Sequence, residues 1–290
     1  MSTTEIIEAG IHSDVPMTDY INDPCVDPSL SKGVIGNLIH RSPLHAYGDH
    51  PRLGGSKDDP NSRSDLGSAA HAMLLGGAEA IAFIDAEDWR TKAAKEARDE
   101  ARTFGRIPML AKQAAALDAM VSISKPILDD FGSGDVEQTL IWKDGESWGR
   151  ARPDWLAADR KVVVDYKTAT NADPLVWIRR VLLSSDYDLQ AAWYLRGVGI
   201  LEGRADRDFL FLVQEITAPY ACSVVGVGPE MMDLANRKIE AGLRLWRECM
   251  TSNKWIGYST RTHWAELPQY VTWDWENRDV AYGDGERGGS

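Results

Sequence analysis

Three residues have the types and spacing of a site that handles phosphate: Asp154, Asp165 and Lys167. Asp165 and Lys167 flank Tyr166 in the run Val162-Val163-Val164-Asp165-Tyr166-Lys167-Thr168. A strand sends alternate side chains to one face, so this carboxylate and ammonium point together while Tyr166 points away. Asp154 follows Pro153 near the end of the preceding strand-like run, and only a short connection, 157–160, separates the two runs. An antiparallel pairing would bring Asp154 beside Asp165. Two carboxylates and the backbone carbonyl of Tyr166 make an all-oxygen set suited to Mg²⁺ or Mn²⁺. Lys167, beside such a cation, can position a water or stabilise charge on a phosphate in flight. A lone D-x-K occurs at many strand ends. Its pairing with Pro153-Asp154 and the valine lead-in make the pattern more specific.

The elements that must position these residues follow from periodicity and punctuation. Residues 137–142 and 148–156 read as a hairpin turned at Asp144-Gly145, and 161–168 as a third strand. Helices are expected over 174–183 and 188–201, then strands over 209–216 and 221–227. A long helix opens at Pro229 and runs through Met250. Upstream, Leu66, Ala69, Ala70, Met73 and Leu74 recur at helical spacing, and the stretches 89–104 and 110–131 continue as helices. Ser31 caps a short helix that ends near Ser42-Pro43, and 48–64 reads as a loop. The expected organisation is an irregular arm over 1–30, a single domain over 31–260, and an acidic, fraying tail over 261–290. Within the domain, 31–134 is mainly helical and 135–260 is a mixed-sheet core. The class is α/β with a helical N-terminal elaboration.

Other polar residues lie where they can join the site. Gly67 and His71 are four apart on one helical face, so the glycine permits a close approach while His71 reaches inward. A core histidine beside Met73 and Leu74 is the alternative. Gln190 and Tyr194 also share a face and can bind water, phosphate or a base, or simply pack beside Trp193 and Leu195. Glu137, taken alone, is a solvated strand end. Arg150, Arg152, Arg179, Arg180 and Arg196 bracket these motifs, either as a phosphate-binding patch or as part of a mixed-charge surface. Trp142, Trp148 and Trp155 alternate near the active strands, where core packing accounts for most of such rings.

Composition narrows the classes. The 290 residues are 43% hydrophobic and 26% charged, an ordinary globular balance. With 32 Lys and Arg against 44 Asp and Glu, the formal charge is −12. That argues against a polybasic protein held to nucleic acid by overall charge, but allows a basic groove on an acidic body. Cys25, Cys222 and Cys249 form no CxxC pair, so neither a disulfide framework nor a four-cysteine zinc or iron–sulfur site is expected. Residues 1–10 do not resemble a signal peptide, and no run of about 20 apolar residues occurs. The expectation is a reduced, cytoplasmic protein with no membrane span. No G-x-x-x-x-G-K-[ST] is present, so ATP-driven unwinding by this chain is not expected.

On the motif residues, the sequence resembles the PD-(D/E)XK (restriction-endonuclease-like) nuclease superfamily, and within it the RecE-type (exonuclease VIII) and phage alkaline-exonuclease branch. Gly149-Arg150-Ala151-Arg152-Pro153-Asp154 followed by Val163-Val164-Asp165-Tyr166-Lys167-Thr168 is similar to that branch's "G-x-x-D … v-D-x-K-T". Leu66-Gly67-Ser68-Ala69-Ala70-His71 resembles its helical G-x-x-x-H, and Gln190-Ala191-Ala192-Trp193-Tyr194 the Q-x-x-x-Y of the RecB-like subset. Gln214-Glu215 and Trp255-Ile256-Gly257-Tyr258 also match the RecE-type C-terminal nuclease, and the likeness covers about 31–258. It implies a mixed β-sheet core flanked by helices, with Asp154, Asp165, Lys167, Gln190 and Tyr194 catalytic. His71, Asp154, Asp165, the Tyr166 carbonyl and Glu137 would hold Mg²⁺ or Mn²⁺. It further implies digestion of linear double-stranded DNA from its ends, 5′ to 3′, leaving 3′ strands for a RecT-type annealing protein in a bacterial or phage-infected cell. Relatives in this branch form trimeric or tetrameric rings. Other readings are a restriction- or repair-type endonuclease, an inactive DNA-binding scaffold, and a metal-stabilised protein with no nucleic-acid role.

Overall fold

The computed structural model describes residues 8–55, 65–203 and 206–283. The chain divides into two units, Met1–Gly257 and Tyr258–Ser290. The first unit opens with β1 (Gly10–His12), α1 (Met17–Ile21), β2 (Ser29–Leu30), α2 (Lys32–His40) and α3 (Pro43–Asp49). Next come α4 (Asp65–Leu74), β3 (Ile81–Ile84), α5 (Lys92–Thr103), β4 (Ile107–Leu110) and α6 (Ala114–Asp129). The strands β5 (Gly134–Val136), β6 (Thr139–Asp144), β7 (Ser147–Ala151), β8 (Trp155–Ala157) and β9 (Val162–Ala169) follow. Then α7 (Pro174–Trp177) and a π-helical turn (Ile178–Leu182) lead to α8 (Tyr187–Glu202), β10 (Asp208–Glu215), β11 (Cys222–Gly226) and α9 (Pro229–Ser252). The second unit contributes α10 (Gln269–Gly283), where the sequence suggested only a fraying tail. On it Tyr270, Trp273 and Trp275 are exposed. No helix among the described residues is long and apolar enough to cross a membrane.

A five-stranded sheet in the order β11-β10-β9-β8-β5 carries the valine run at its centre. One face of this sheet places Val163, Phe209, Phe211 and Val213 against Leu189, Trp193, Ile239 and Leu243 of α8 and α9. The other face places Val164, Tyr166 and Leu212 against Ala69, Leu74, Leu117 and Met120 of α4 and α6. A strand covered on both faces reads as continuously apolar, and the three successive valines reflect that. The expected strand 148–156 is in fact two: β7 pairs with β6, whereas β8 pairs with β9 and β5. Pro153, with no N–H to offer a ladder, lies at the break where the chain changes sheets.

Two further expectations are corrected. The arm is not irregular throughout: β1 pairs antiparallel with β6 and β2 pairs parallel with β7, making a second sheet in the order β1-β6-β7-β2. The mainly helical front also holds strands that the sequence did not suggest, because β3 and β4 form a two-stranded parallel pair. Their four-residue apolar runs are too short for periodicity to separate strand from helix. Of the expected loop, residues 56–64 lie outside the described residues, as do 284–290 of the tail.

A buried polar cluster fastens the arm. Asp23, Ser29, His50 and Arg150 are all enclosed. Asp23 accepts from the Ser29 amide (2.8 Å) and hydroxyl (2.6 Å), and Arg150 donates to the Ser29 carbonyl (2.8 Å) and pairs with Asp23 (3.3 Å). The Arg52 amide donates to His50 Nδ1 (3.2 Å), which leaves Nε2 to donate to the Ser29 carbonyl (3.0 Å). Burial, first of all, holds the His50 imidazole below the usual histidine range; Asp23 opposes and Arg150 adds to the shift. The unfolded chain therefore takes up this proton near pH 6.5 while the native state resists it, so stability is complete above that pH and falls below it. Melting temperature should drop on going from about pH 7.5 to about pH 5.5, and less steeply in His50→Gln, whose amide can still reach the Ser29 carbonyl. Equal slopes in the two proteins would rule out the buried neutral ring as the cause.

Candidate active site

The register of β8 on β9 pairs Trp155 with Val164 and Leu156 with Val163. Continued by one residue, it sets Asp154 opposite Asp165. The Asp154 side chain extends the ladder, because its Oδ2 accepts from the Tyr166 amide at 2.7 Å. Asp154 Oδ1 meets Nε2 of His71 at 2.8 Å. Helix α4 reaches the strand closely enough for this contact only because residue 67 has no side chain. A Cβ on Gly67 would lie 2.6 Å from the Thr168 hydroxyl. The close approach expected of the Gly67/His71 pair is therefore present, and His71 faces a carboxylate, not the core.

Asp165 is 2% exposed and is held from two directions. Lys167, on the same face of β9, pairs with its Oδ2, and the Gln190 amide on α8 donates to its Oδ1. Glu137 completes the cluster from the β5–β6 junction, with a left-handed φ of 48°. Its amide donates to the Asp154 carbonyl (3.1 Å), Oε1 lies 3.7 Å from His71 Nδ1, and Oε2 accepts from Arg152 (3.0 Å). Tyr166 points to the opposite face and donates its hydroxyl to Gln214, whose amide reaches the Met120 and Tyr220 carbonyls. Tyr194, one turn beyond Gln190, packs edge-on against Phe209 at 5.9 Å.

The charges shape one another's protonation. Burial raises Asp165, and the neighbouring Asp154 adds to that, against the pull of Lys167; its carboxyl is pushed up to about 6. Asp154 feels the same burial, but His71 and Lys167 outweigh it and hold its pKa below the usual range. For Lys167, burial favours the neutral amine, yet Asp165 and Asp154 win and raise its pKa. Burial drives the Tyr194 phenol well up, so that it stays neutral.

The donors suit a hard divalent cation: several carboxylate oxygens and one imidazole. Asp165 Oδ2 fits that reading, being buried and receiving no well-directed hydrogen bond beyond its ion pair with Lys167. Among the described residues the acids and histidine do not converge on one centre as a closed cage. Each carboxylate is instead engaged by His71, Lys167 or Gln190.

The expected arginine patch is not assembled. Arg150 is 4% exposed and bound to Asp23 and Ser29. Arg152 is held by Glu137, the Thr139 hydroxyl and the Val15 carbonyl. Arg196 pairs with Asp144 and Glu240. In so acidic a protein these guanidiniums are claimed by carboxylates of the arm, the β5–β7 region and α9. Only Arg179 and Arg180, on the π-helical turn, are exposed. Lys32, which sequence reasoning passed over, stands near the cluster instead. Burial lowers its pKa, Asp186 opposes, and repulsion from Lys167 adds to the lowering. As one first-turn lysine among 32 cationic residues, it carries no sequence mark.

This sheet, flanked by helices on both faces, has the PD-(D/E)XK fold. The chain belongs to the family described as PDDEXK-like domain of unknown function (DUF3799), which matches residues 50–266. Among solved structures, a "putative exonuclease" of Eubacterium rectale shares the fold. It has a TM-score of 0.57 at 13% identity, over 88% of this chain and 94% of that one. A phage-related exonuclease of Haemophilus somnus aligns at 12% identity over 64% of this chain and 95% of its own, with a TM-score of 0.30. No curated protein matches.

The electrostatics of the cluster can be tested without any substrate. Burial pulls the His71 imidazole down, but Asp154, through charge and hydrogen bond, together with Glu137 and Asp165, outweighs it and raises its pKa. Removing the Asp154 charge should reverse the balance. In metal-free Asp154→Asn, NMR titration of the His71 ring should give a midpoint below that of wild type. An unchanged midpoint would mean that Asp154 does not hold the imidazolium.

Proposed function

We propose that this chain is a metal-dependent nuclease that digests linear double-stranded DNA from its ends, 5′ to 3′. The observation that carries the reading is the meeting of Asp154, Asp165 and Lys167 across one β8–β9 step, with His71, Glu137 and Gln190 closing round them. The family's PDDEXK-like description supports hydrolysis of a phosphodiester, and the name of the Eubacterium rectale protein supports action at ends. Asp154, Asp165, Glu137, His71 and the Tyr166 carbonyl are the groups that would hold Mg²⁺ or Mn²⁺. Bound there, the cation would supply Lewis acidity to the phosphate and a lowered pKa to a water.

The chain's own residues have separate tasks in this scheme. Lys167, kept protonated by two carboxylates, offers an ammonium to the charge that gathers on the phosphate. Gln190 fixes the Asp165 carboxylate, and neutral Tyr194 supports that turn of α8. Arg179 and Arg180 are the exposed cations available to more distant phosphates. An acidic protomer repels DNA at long range, which favours a ring of copies pooling their cationic surfaces. The exposed aromatic residues of α10 are suited to such an interface. A RecT-type annealing protein would take the 3′ strand that this polarity leaves.

Linear duplex labelled at its 5′ or 3′ end, incubated with Mg²⁺ or Mn²⁺, tests the reading. EDTA should abolish cleavage, and covalently closed circles should be spared. Asp154→Asn and Asp165→Asn should each lower the rate by about 10²-fold or more with folding intact, since each removes an ionised ligand without changing shape. Lys167→Ala should reduce kcat far more than duplex binding. His71→Ala should raise the metal concentration needed for half-maximal rate. Wild-type rates in both Asp variants would refute the assignment, and cutting of closed circles would turn it to an endonuclease.

A further inference from the structure

Lys32 is a half-buried cation beside the site that makes no direct ion pair, although Asp186, Asp165 and Asp188 act on it through charge. Its ammonium donates to the Ser185 carbonyl at 2.7 Å and lies over the Tyr187 ring, 5.6 Å from the centroid. The Lys167 ammonium lies over the same ring at 4.9 Å. The nearby acids have closer partners: Asp186 meets His40 at 2.8 Å, Asp188 meets Lys238 at 2.7 Å, and Asp165 holds Lys167 and Gln190. Among the described residues, Lys32 has no carboxylate within ion-pair distance, although the chain carries 44 acids to 32 cations. A partly desolvated ammonium whose one directed hydrogen bond goes to a neutral carbonyl keeps donors for a further anion. Tyr187 is itself fixed, stacked on Trp177 at 5.5 Å and tilted against Phe211 at 5.3 Å. Beside Lys32 a cavity of about 290 Å³ runs along α2, bounded by Gly33, Gly36, Asn37, His40 and Arg41, and by Asp186, whose carboxylate is paired with His40.

We propose that Lys32 is a second substrate-contacting cation, which holds a backbone phosphate neighbouring the one at Lys167, with the strand lying in the groove along α2. This rests on the nuclease reading above.

Steady-state cleavage of a short duplex and fluorescence anisotropy of its binding, each over a salt series, test the assignment. Lys32→Met keeps the stem and removes the charge. It should raise KM about tenfold, leave kcat within about threefold, and lower the slope of log Kd against log salt by about one. Lys32→Arg should restore KM and slope. If Lys32→Met instead lowers melting temperature and kcat while KM and salt slope stay at wild-type values, Lys32 only ties α2 to Ser185, and the inference falls alone. If wild type cleaves nothing with either cation, the nuclease reading fails and this inference fails with it.

Discussion

Asp154 and Asp165 face each other where little water reaches, and two like charges so placed repel strongly. Each is matched from its own side: imidazole for Asp154, ammonium and amide for Asp165. The compensation is unequal. One carboxylate is stabilised in its ionised form while the other is pushed toward taking up a proton. That asymmetry comes from the surroundings and not from residue type. It leaves the cluster ready for additional positive charge.

Much of the architecture serves to hold this pair in register. The centre of the sheet is buried on both faces, which leaves β9 little freedom to slide, and a one-residue slip would turn Asp165 and Lys167 to the wrong side. The change of sheet at Pro153 delivers Asp154 to the strand that needs it. Gly67 lets α4 come near, and the left-handed residue Glu137 turns the chain back so that its amide meets the Asp154 carbonyl. Three of the arginines that looked suited to a ligand are instead internal ties. Arg152 steadies Glu137, and Arg150 fastens the arm.

The centre of the fold was legible in the sequence because its signals are local. Val162 to Lys167 carries both the strand propensity and the two-residue alternation that puts Asp165 with Lys167. Gly67 and His71 carry helical spacing. What was not legible depends on long-range pairing. Nothing near Gly10 or Ser29 announces a strand, because those strands exist only through β6 and β7. The sequence left the arginines open between a phosphate patch and a mixed-charge surface for a related reason: a guanidinium's partner is set by tertiary contact, and Asp23 lies far from Arg150 in sequence. Lys32 was invisible for the converse reason, since its distinction is the direct ion pair it does not make.

The pairing of the arm also separates the order of synthesis from the order of assembly. Ser29 emerges from the ribosome 121 positions before Arg150, the residue that encloses it. Until then the Asp23–Ser29 segment has no sheet to join, and the edge of β6 that β1 will cover does not exist. Contacts this distant close late and carry a large loop entropy, so the second sheet can be completed only after most of the first unit has been made. The strands of the arm, made before the rest of their sheet, are among the last to find their places.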